Sequence, residues 1–321
     1  MARLSGRPLL DTAADAALFV DRDVELDRLG RAVAEGLNVL TSGPRGAGKT
    51  SLLRRAVYLG RTADEAHGPL GSVDASAVGS ADDLLHRVAD VLGAASAGLP
   101  AGADGLTRLA GLDADARQAV AVDGLPPDIA HVAFGQLRDE LWSVPVTWVV
   151  SCSDRQELDF LRPPADAFFD ARVRLAPFAD GDMRELLRRR ATPDELDDAA
   201  LDVVVSLAQG NPRRALDLAR HLLLAPGSAP ELRAALVRRD EALDRLGAPA
   251  RMLLDELDAS GAASASDDAL LARLGWTRPR AAQVFGQLEA EGLVRAADER
   301  NGPGRPRRIY RSADLTGVAA S

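Results

Sequence analysis

One eight-residue stretch limits what this chain can fold into more than any other: Gly-Pro-Arg-Gly-Ala-Gly-Lys-Thr, residues 43–50. A short, mostly apolar run at 37–40 precedes it and Thr41-Ser42-Gly43 closes that run, which predicts a strand. From Ser51 onward Leu52, Leu53 and Val57 fall at helical spacing. Between strand and helix, Gly43, Gly46 and Gly48 allow backbone conformations that turn successive N–H groups toward one point, an anion nest. The helix start adds its unsatisfied amides and positive dipole end to the same point. Lys49 can extend an ammonium to the β- and γ-phosphates of a nucleotide, and Thr50 offers a hydroxyl to Mg²⁺. The whole loop (Gly43, Pro44, Arg45, Gly46, Ala47, Gly48, Lys49, Thr50 and Ser51) is therefore the expected binding site for ATP.

The chain holds one lysine among 39 lysines and arginines, and that lysine is Lys49. A compact point charge suits a tight loop where arginine's wide planar fork does not, so the surviving lysine marks a site. With 46% hydrophobic and 27% charged residues over 321 positions, the composition is that of a globular protein of two or three domains. The single cysteine, Cys152, excludes an intramolecular disulfide framework and suits a reducing, cytoplasmic setting. Four histidines without ligand spacing argue against a His/Cys metal site. No apolar run reaches membrane-spanning length, so no membrane association is expected. A net charge of −9 argues against wholesale coating of a polyanion but leaves room for a local basic patch.

A phosphate loop of this kind needs a carboxylate from a second strand. The run 119–122 is apolar and ends in Asp123, at the edge where parallel sheets place ligand-contacting groups. Asp123 is the candidate Mg²⁺ ligand beside Thr50. Further strands are predicted at 68–76, 146–151 and 171–178, with helices at 81–93 and 128–142. Ser151 or Ser153, at the end of the 146–151 strand, would serve as a polar sensor.

Residues 19–29, Phe-Val-Asp-Arg-Asp-Val-Glu-Leu-Asp-Arg-Leu, resemble the box that opens many AAA+ and STAND-type ATPases, with Asp21 in place of the usual glycine. The resemblance implies that Phe19, Val20 and Arg22 help to hold the adenine. Residues 208–220, Ala-Gln-Gly-Asn-Pro-Arg-Arg-Ala-Leu-Asp-Leu-Ala-Arg, resemble the lid helix of AAA+ proteins related to the origin-recognition initiators. It implies that Arg213 reaches the γ-phosphate, so the candidate catalytic set is Lys49, Asp123 and Arg213. One departure stands out: the acid that normally follows the metal-binding aspartate, and activates the attacking water, is Gly124. Arg162 and Arg172 are available as finger arginines toward a neighbouring subunit.

From 179 to 246 the chain reads as helices only, broken at Gly210-Asn211-Pro212 and Pro226-Gly227-Ser228. Residues 247–312 predict three helices, the second capped by Ser266 and the third by Thr277, then a hairpin turning near Asn301-Gly302. The third helix has Ala281, Val284, Phe285 and Leu288 on its core side and Arg280, Gln283 and Gln287 on another. Three helices followed by a basic hairpin resemble a winged helix-turn-helix domain. Residues 276–311 carry eight arginines against four acids in a chain that is negative overall. Arg278, Arg280, Gln283 and Gln287 suit base edges, and Arg300, Arg305, Arg307 and Arg308 suit phosphates or a minor groove.

The expected fold is α/β: an N-terminal tail (1–18), an AAA+-like parallel-sheet P-loop NTPase domain (19–178), a helical lid (179–246), a winged-helix domain (247–312) and a C-terminal tail (313–321). The expected function is an ATP-binding switch that couples nucleotide state to double-stranded DNA binding, with slow or absent hydrolysis. Two alternatives stand beside it: an oligomeric DNA-loading or remodelling ATPase, and a nucleotide-controlled adaptor for a protein partner or a homo-oligomer.

Overall fold

The computed structural model describes residues 4–62, 70–94, 102–113, 118–224, 229–299 and 307–313. The chain divides into two compact units, one up to Arg220 and one from His221.

The first unit opens with α1 (Ala13–Ala16) and α2 (Asp23–Ala34), followed by β1 (Val39–Ser42), α3 (Lys49–Thr62) and β2 (Leu70–Asp74). Next come α4 (Ala81–Val91), α5 (Gly105–Ala110) and β3 (Gln118–Asp123). A broken helical stretch, α6 (Pro127–His131) and α7 (Arg138–Ser143) joined by a π-turn at Val132–Gln136, leads to β4 (Val146–Ser151). The short α8 (Glu157–Phe160) precedes β5 (Ala171–Arg174), and α9 (Asp180–Arg188), α10 (Asp198–Ala208) and α11 (Pro212–Leu224) follow. The five strands form one parallel sheet in the order β2-β3-β4-β1-β5. Strand β4 thus lies between the strand that feeds the glycine loop and the strand that ends in Asp123.

Alternation along the strands divides the core in two. Val39, Ala119, Ala121, Val149 and Val173 pack with Leu52, Leu53, Ala56 and Val57 of α3 and with Leu26 and Leu29 of α2. Leu40, Val73, Val120, Val122 and Val150 face the other way, against α4 and the π-turn. The helix expected over 128–142 is broken there because the wide turn seats Phe134 inside an aromatic cluster. Its ring meets Trp148 edge-on at 5.6 Å and stacks on Phe168 at 4.9 Å.

Strand β1 differs from its expected span. Thr41 and Ser42 are not the turn that closes it; both are buried within it and pair with β5 at Val173 and Arg174. Hydroxyl residues read as turn formers in sequence, but here the sheet's register holds them extended.

Residues 4–18, expected as a tail, pack along α3. The Leu9 N–H donates to Ser51 Oγ at 3.2 Å, and Arg54 and Arg61 of α3 donate to the carbonyls of Leu9 and Asp11 at 3.4 and 2.5 Å. The segment is clasped by Arg7, whose guanidinium gives two hydrogen bonds to Asp15, at 2.6 and 3.0 Å. Toward the other end, Arg189 and Arg190 beyond α9 donate to the carbonyls of Phe19 and Leu18 at 2.5 and 3.2 Å.

The second unit contains the end of α11, then α12 (Ala229–Leu246), α13 (Ala248–Ser260), α14 (Asp268–Leu274) and α15 (Arg278–Ala290), with a ribbon of β6 (Val294–Glu299) and β7 (Arg307–Ser312). The ribbon is antiparallel, pairing Val294 with Ser312 and Glu299 with Arg307. Ala263 adds a bridge to Tyr310. One core gathers Leu253, Leu254, Leu257, Leu270, Phe285, Leu288 and Tyr310, and it includes Ala242 and Leu243 of α12. The stretch expected as a separate lid is therefore shared: α9, α10 and most of α11 belong to the first unit, α12 to the second. The α14 cap is Asp267 rather than Ser266, because its carboxylate accepts the Leu270 N–H.

The Arg7 hydrogen bonds hold the Asp15 carboxyl below its ordinary value, against the cost of burial. A depressed carboxyl contributes stability that is present above its unfolded value near 3.9 and lost as pH falls through the folded value. Acidification below about pH 4 should therefore release residues 4–18. Limited proteolysis across a pH series would show it, and Asp15→Asn should leave the segment cleavable at neutral pH.

Candidate functional site

At the carboxyl edge of the sheet, register lines up four polar residues. Thr41 pairs with Ser151, Val122 with Val150, and Asp74 with Asp123. Thr41, Ser151, Asp123 and Asp74 thus stand at one level across four strands, on the face that carries α3. Asp123 is the hub of this row. Its Oδ2 accepts from Thr50 Oγ1 at 2.5 Å, and its Oδ1 accepts from the Ser151 hydroxyl. Ser151, one of the two sensor candidates, therefore fastens the carboxylate, while Ser153 bonds to the Gln156 side chain at 2.9 Å.

Lys49 opens α3 and folds its ammonium back over the loop, donating to the carbonyls of Gly43 and Pro44 at 2.7 and 3.0 Å. Burial pulls Lys49 below its ordinary value, while the Asp123 and Asp154 charges work the other way. Arg213 lies close enough for its charge to lower Lys49 further. Beside them burial pushes the Cys152 thiol up to about 12, which leaves it neutral and unreactive.

The start of α11 docks on the glycine loop. The Asn211 amide donates to the Arg45 carbonyl at 2.8 Å, and the Arg213 N–H to the Gly46 carbonyl at 3.4 Å. Gly46 has φ +86, and a Cβ there would come within 2.5 Å of Asn211 Oδ1 and 2.9 Å of the Arg213 Cβ. This glycine is required by the approaching helix as well as by the loop's own turn. Ala47 is buried beneath the loop with the α3 core. Ser51 is engaged by the N-terminal segment through Leu9.

The opening box packs against the end of β5 and the α3 core. Arg22 is buried, with its guanidinium 4.3 Å from the Phe178 ring, 2.9 Å from Glu25 and donating to the Ala176 carbonyl at 2.6 Å. Its donors clamp the chain leaving β5, so it holds the frame around the site. Val20 is buried, and Phe19 packs on the α3 core below Arg55 at 5.8 Å.

In the second unit, Arg278, Arg280, Gln283 and Gln287 are exposed on α15, with Arg280 donating to Gln283 at 3.1 Å. Three ribbon arginines have acidic partners: Arg308 reaches Glu289 at 2.6 Å, Arg311 reaches Glu299 at 2.7 Å and Arg307 reaches Asp267 at 4.0 Å. Arg300 and Arg305 lie outside the described residues.

Thr50 and Asp123 converge as an all-oxygen donor pair, the chemistry that suits Mg²⁺. Sheet order, loop, converging hydroxyl and carboxylate together define an α/β P-loop NTPase fold of the AAA+ type. Among solved structures the chain is similar to the Aeropyrum pernix ORC1 protein in complex with DNA, at 19% identity over 94% of this chain and 92% of that chain, with a TM-score of 0.52. It is also similar to Cdc6p from Pyrobaculum aerophilum, at 15% identity over 95% and 96% of the two chains, with a TM-score of 0.51. No protein-family model and no curated protein matches the sequence. At these identities the likeness is one of fold.

Sequence patterns did not mark Thr41, Asp74 or Asn211 as site residues. Gly124, which follows the hub carboxylate, sits at φ +76. Left-handed backbone costs an L-residue about 1–2 kcal/mol, so Gly124→Ala should destabilise the first unit by that amount. The midpoint shift in urea unfolding measures it. No helix among the described residues is long and apolar enough to cross a membrane.

Proposed function

We propose that the protein is a nucleotide-controlled DNA-binding switch: Mg-ATP occupies the glycine loop, and nucleotide state sets the affinity of the second unit for double-stranded DNA. The observation that carries the reading is the docking of Asn211 and Arg213 on the loop that holds Lys49. A γ-phosphate in that loop would draw Lys49 off the Gly43 and Pro44 carbonyls and meet Arg213 from α11. ATP and ADP would then differ in their contacts with the start of α11, and differential contact is what a ligand needs to shift an equilibrium. Thr50 and Asp123 would hold the Mg²⁺, which supplies charge neutralisation at the phosphates.

The second unit would bind DNA as a winged helix. Arg278, Arg280, Gln283 and Gln287 of α15 would face base edges in the major groove, and the ribbon arginines would face phosphates. The absence of an acid at Gly124 fits slow turnover, which a switch tolerates and a motor does not.

Duplex affinity should differ between the ATP and ADP forms by roughly 5- to 150-fold, the usual range of such coupling. Lys49→Ala should weaken ATP binding by about 10- to 100-fold and abolish that difference. Titrating one labelled duplex against the apo, ADP and ATP forms measures both. Equal affinity in all three forms would sink the switch.

A second reading has its own observation. Arg307 and Arg308 are already paired with Asp267 and Glu289, as Arg311 is with Glu299 at 2.7 Å, which reduces the charge free to meet phosphate. A protein-binding second unit would show no duplex affinity even at low salt. DNA binding predicts instead an affinity that falls steeply with salt, with a slope that flattens in the Arg305/Arg307/Arg308 triple alanine variant.

A further inference from the structure

The space beside position 124 is bordered by Ser76, two residues past the end of β2. A Cβ on Gly124 would lie 3.3 Å from the Ser76 Cβ and 3.4 Å from the Ser76 nitrogen, so Ser76 occupies the space beside it. Ser76 in turn braces Asp74: its hydroxyl and its N–H donate to Asp74 Oδ1 at 2.6 and 3.0 Å. Asp74 ends β2 directly opposite Asp123 in the parallel register, on the same face of the sheet. Asp74 is exposed at the carboxyl edge, and among the described residues its Oδ2 accepts no hydrogen bond. A carboxylate held by two hydrogen bonds therefore stands next to Asp123, the candidate metal ligand, with one oxygen free of hydrogen bonds among the described residues.

We propose that Asp74, braced by Ser76, is the carboxylate that orients the attacking water for ATP hydrolysis, in place of an acid at residue 124. The inference rests on the Mg-ATP reading of the glycine loop. In the step itself, the water donates one hydrogen bond to Asp74 Oδ2 while its oxygen forms the new bond to the γ-phosphorus. The bond from that phosphorus to the β–γ bridging oxygen breaks, and its electron pair leaves on ADP. One water proton moves to a γ-phosphate oxygen, so ATP and water become ADP and dihydrogen phosphate and Asp74 ends as it began. The two Ser76 hydrogen bonds, with the nearby Arg54 and Arg87 charges, hold the Asp74 carboxyl below its ordinary value. Such a carboxylate is a firm acceptor and a weak base, which suits slow hydrolysis.

The test compares the wild type with Asp74→Asn, Ser76→Ala and Lys49→Ala in two measurements. One is single-turnover hydrolysis. The other is retention of Mg-ADP with aluminium fluoride, which mimics the in-line transition state with its water, against beryllium fluoride, which mimics the bound phosphate alone. In Asp74→Asn the bracing by Ser76 keeps the amide oxygen inward and turns the NH₂ toward the water, so a donor replaces the acceptor. Hydrolysis should then fall about 100-fold, with ATP affinity kept within roughly twofold. Aluminium fluoride retention should weaken by about tenfold or more while beryllium fluoride retention holds. Ser76→Ala should move both readouts the same way by less.

An Asp74→Asn protein that hydrolyses ATP and retains aluminium fluoride like the wild type overturns the role of Asp74 and leaves the nucleotide site standing. A wild type that binds ATP but holds the two fluoride complexes equally overturns it too. A wild type that binds ATP no better than Lys49→Ala overturns the nucleotide reading itself, and Asp74 with it.

Discussion

The carboxylate of Asp123 is shared between two hydroxyls that come from different layers of the protein. Thr50 belongs to the helix that begins in the glycine loop, and Ser151 belongs to the neighbouring strand. A carboxylate at the end of a buried strand has to find donors, since an unpaired charge there costs several kcal/mol. By taking one from the helix and one from the sheet it fixes the distance between them. The height of the loop over the sheet edge, the placement of Lys49 and the docking surface for α11 all follow from that distance.

Around this centre arginine does a structural task that the composition alone would not suggest. Arg22, Arg54, Arg61, Arg189 and Arg190 all donate to main-chain carbonyls of segments far away in sequence. A guanidinium carries five donors in a fixed fork and cannot lose its charge, so it can satisfy a carbonyl while packing its stem against apolar neighbours. The N-terminal segment is held between α3 and the end of α9 by such bonds. In this protein many arginines act as cross-braces, and a count of basic residues overstates the charge free to meet an anion.

The parts of the site that lie within one short stretch of chain were legible in the sequence. The loop's glycines, Lys49 and Thr50 sit within eight residues, and their chemistry depends on spacing alone. Asp123 was legible because an apolar run ending in an acid is also a local pattern. Thr41, Asp74 and Asn211 were not, because each takes its role from a partner that register or helix docking supplies. The packing of Arg22 was not legible for a related reason: the box around it is recognisable, but burial against Phe178 decides what its donors meet. The division at Arg220 was hidden because it falls inside a continuous helix, where no glycine or proline marks a boundary.

The level row of Thr41, Ser151, Asp123 and Asp74 also bears on how the sheet assembles. One residue behind it lies an equally level row, Leu40, Val150, Val122 and Val73, facing the opposite core. Because side chains alternate, a slip of β3 or β2 by one residue would exchange that strand's rows and drive Asp123 or Asp74 into a layer of valines and aromatics. Misaligned strands would thus be rejected by the same carboxylates that line the edge beside the glycine loop, and the site proofreads the sheet that carries it.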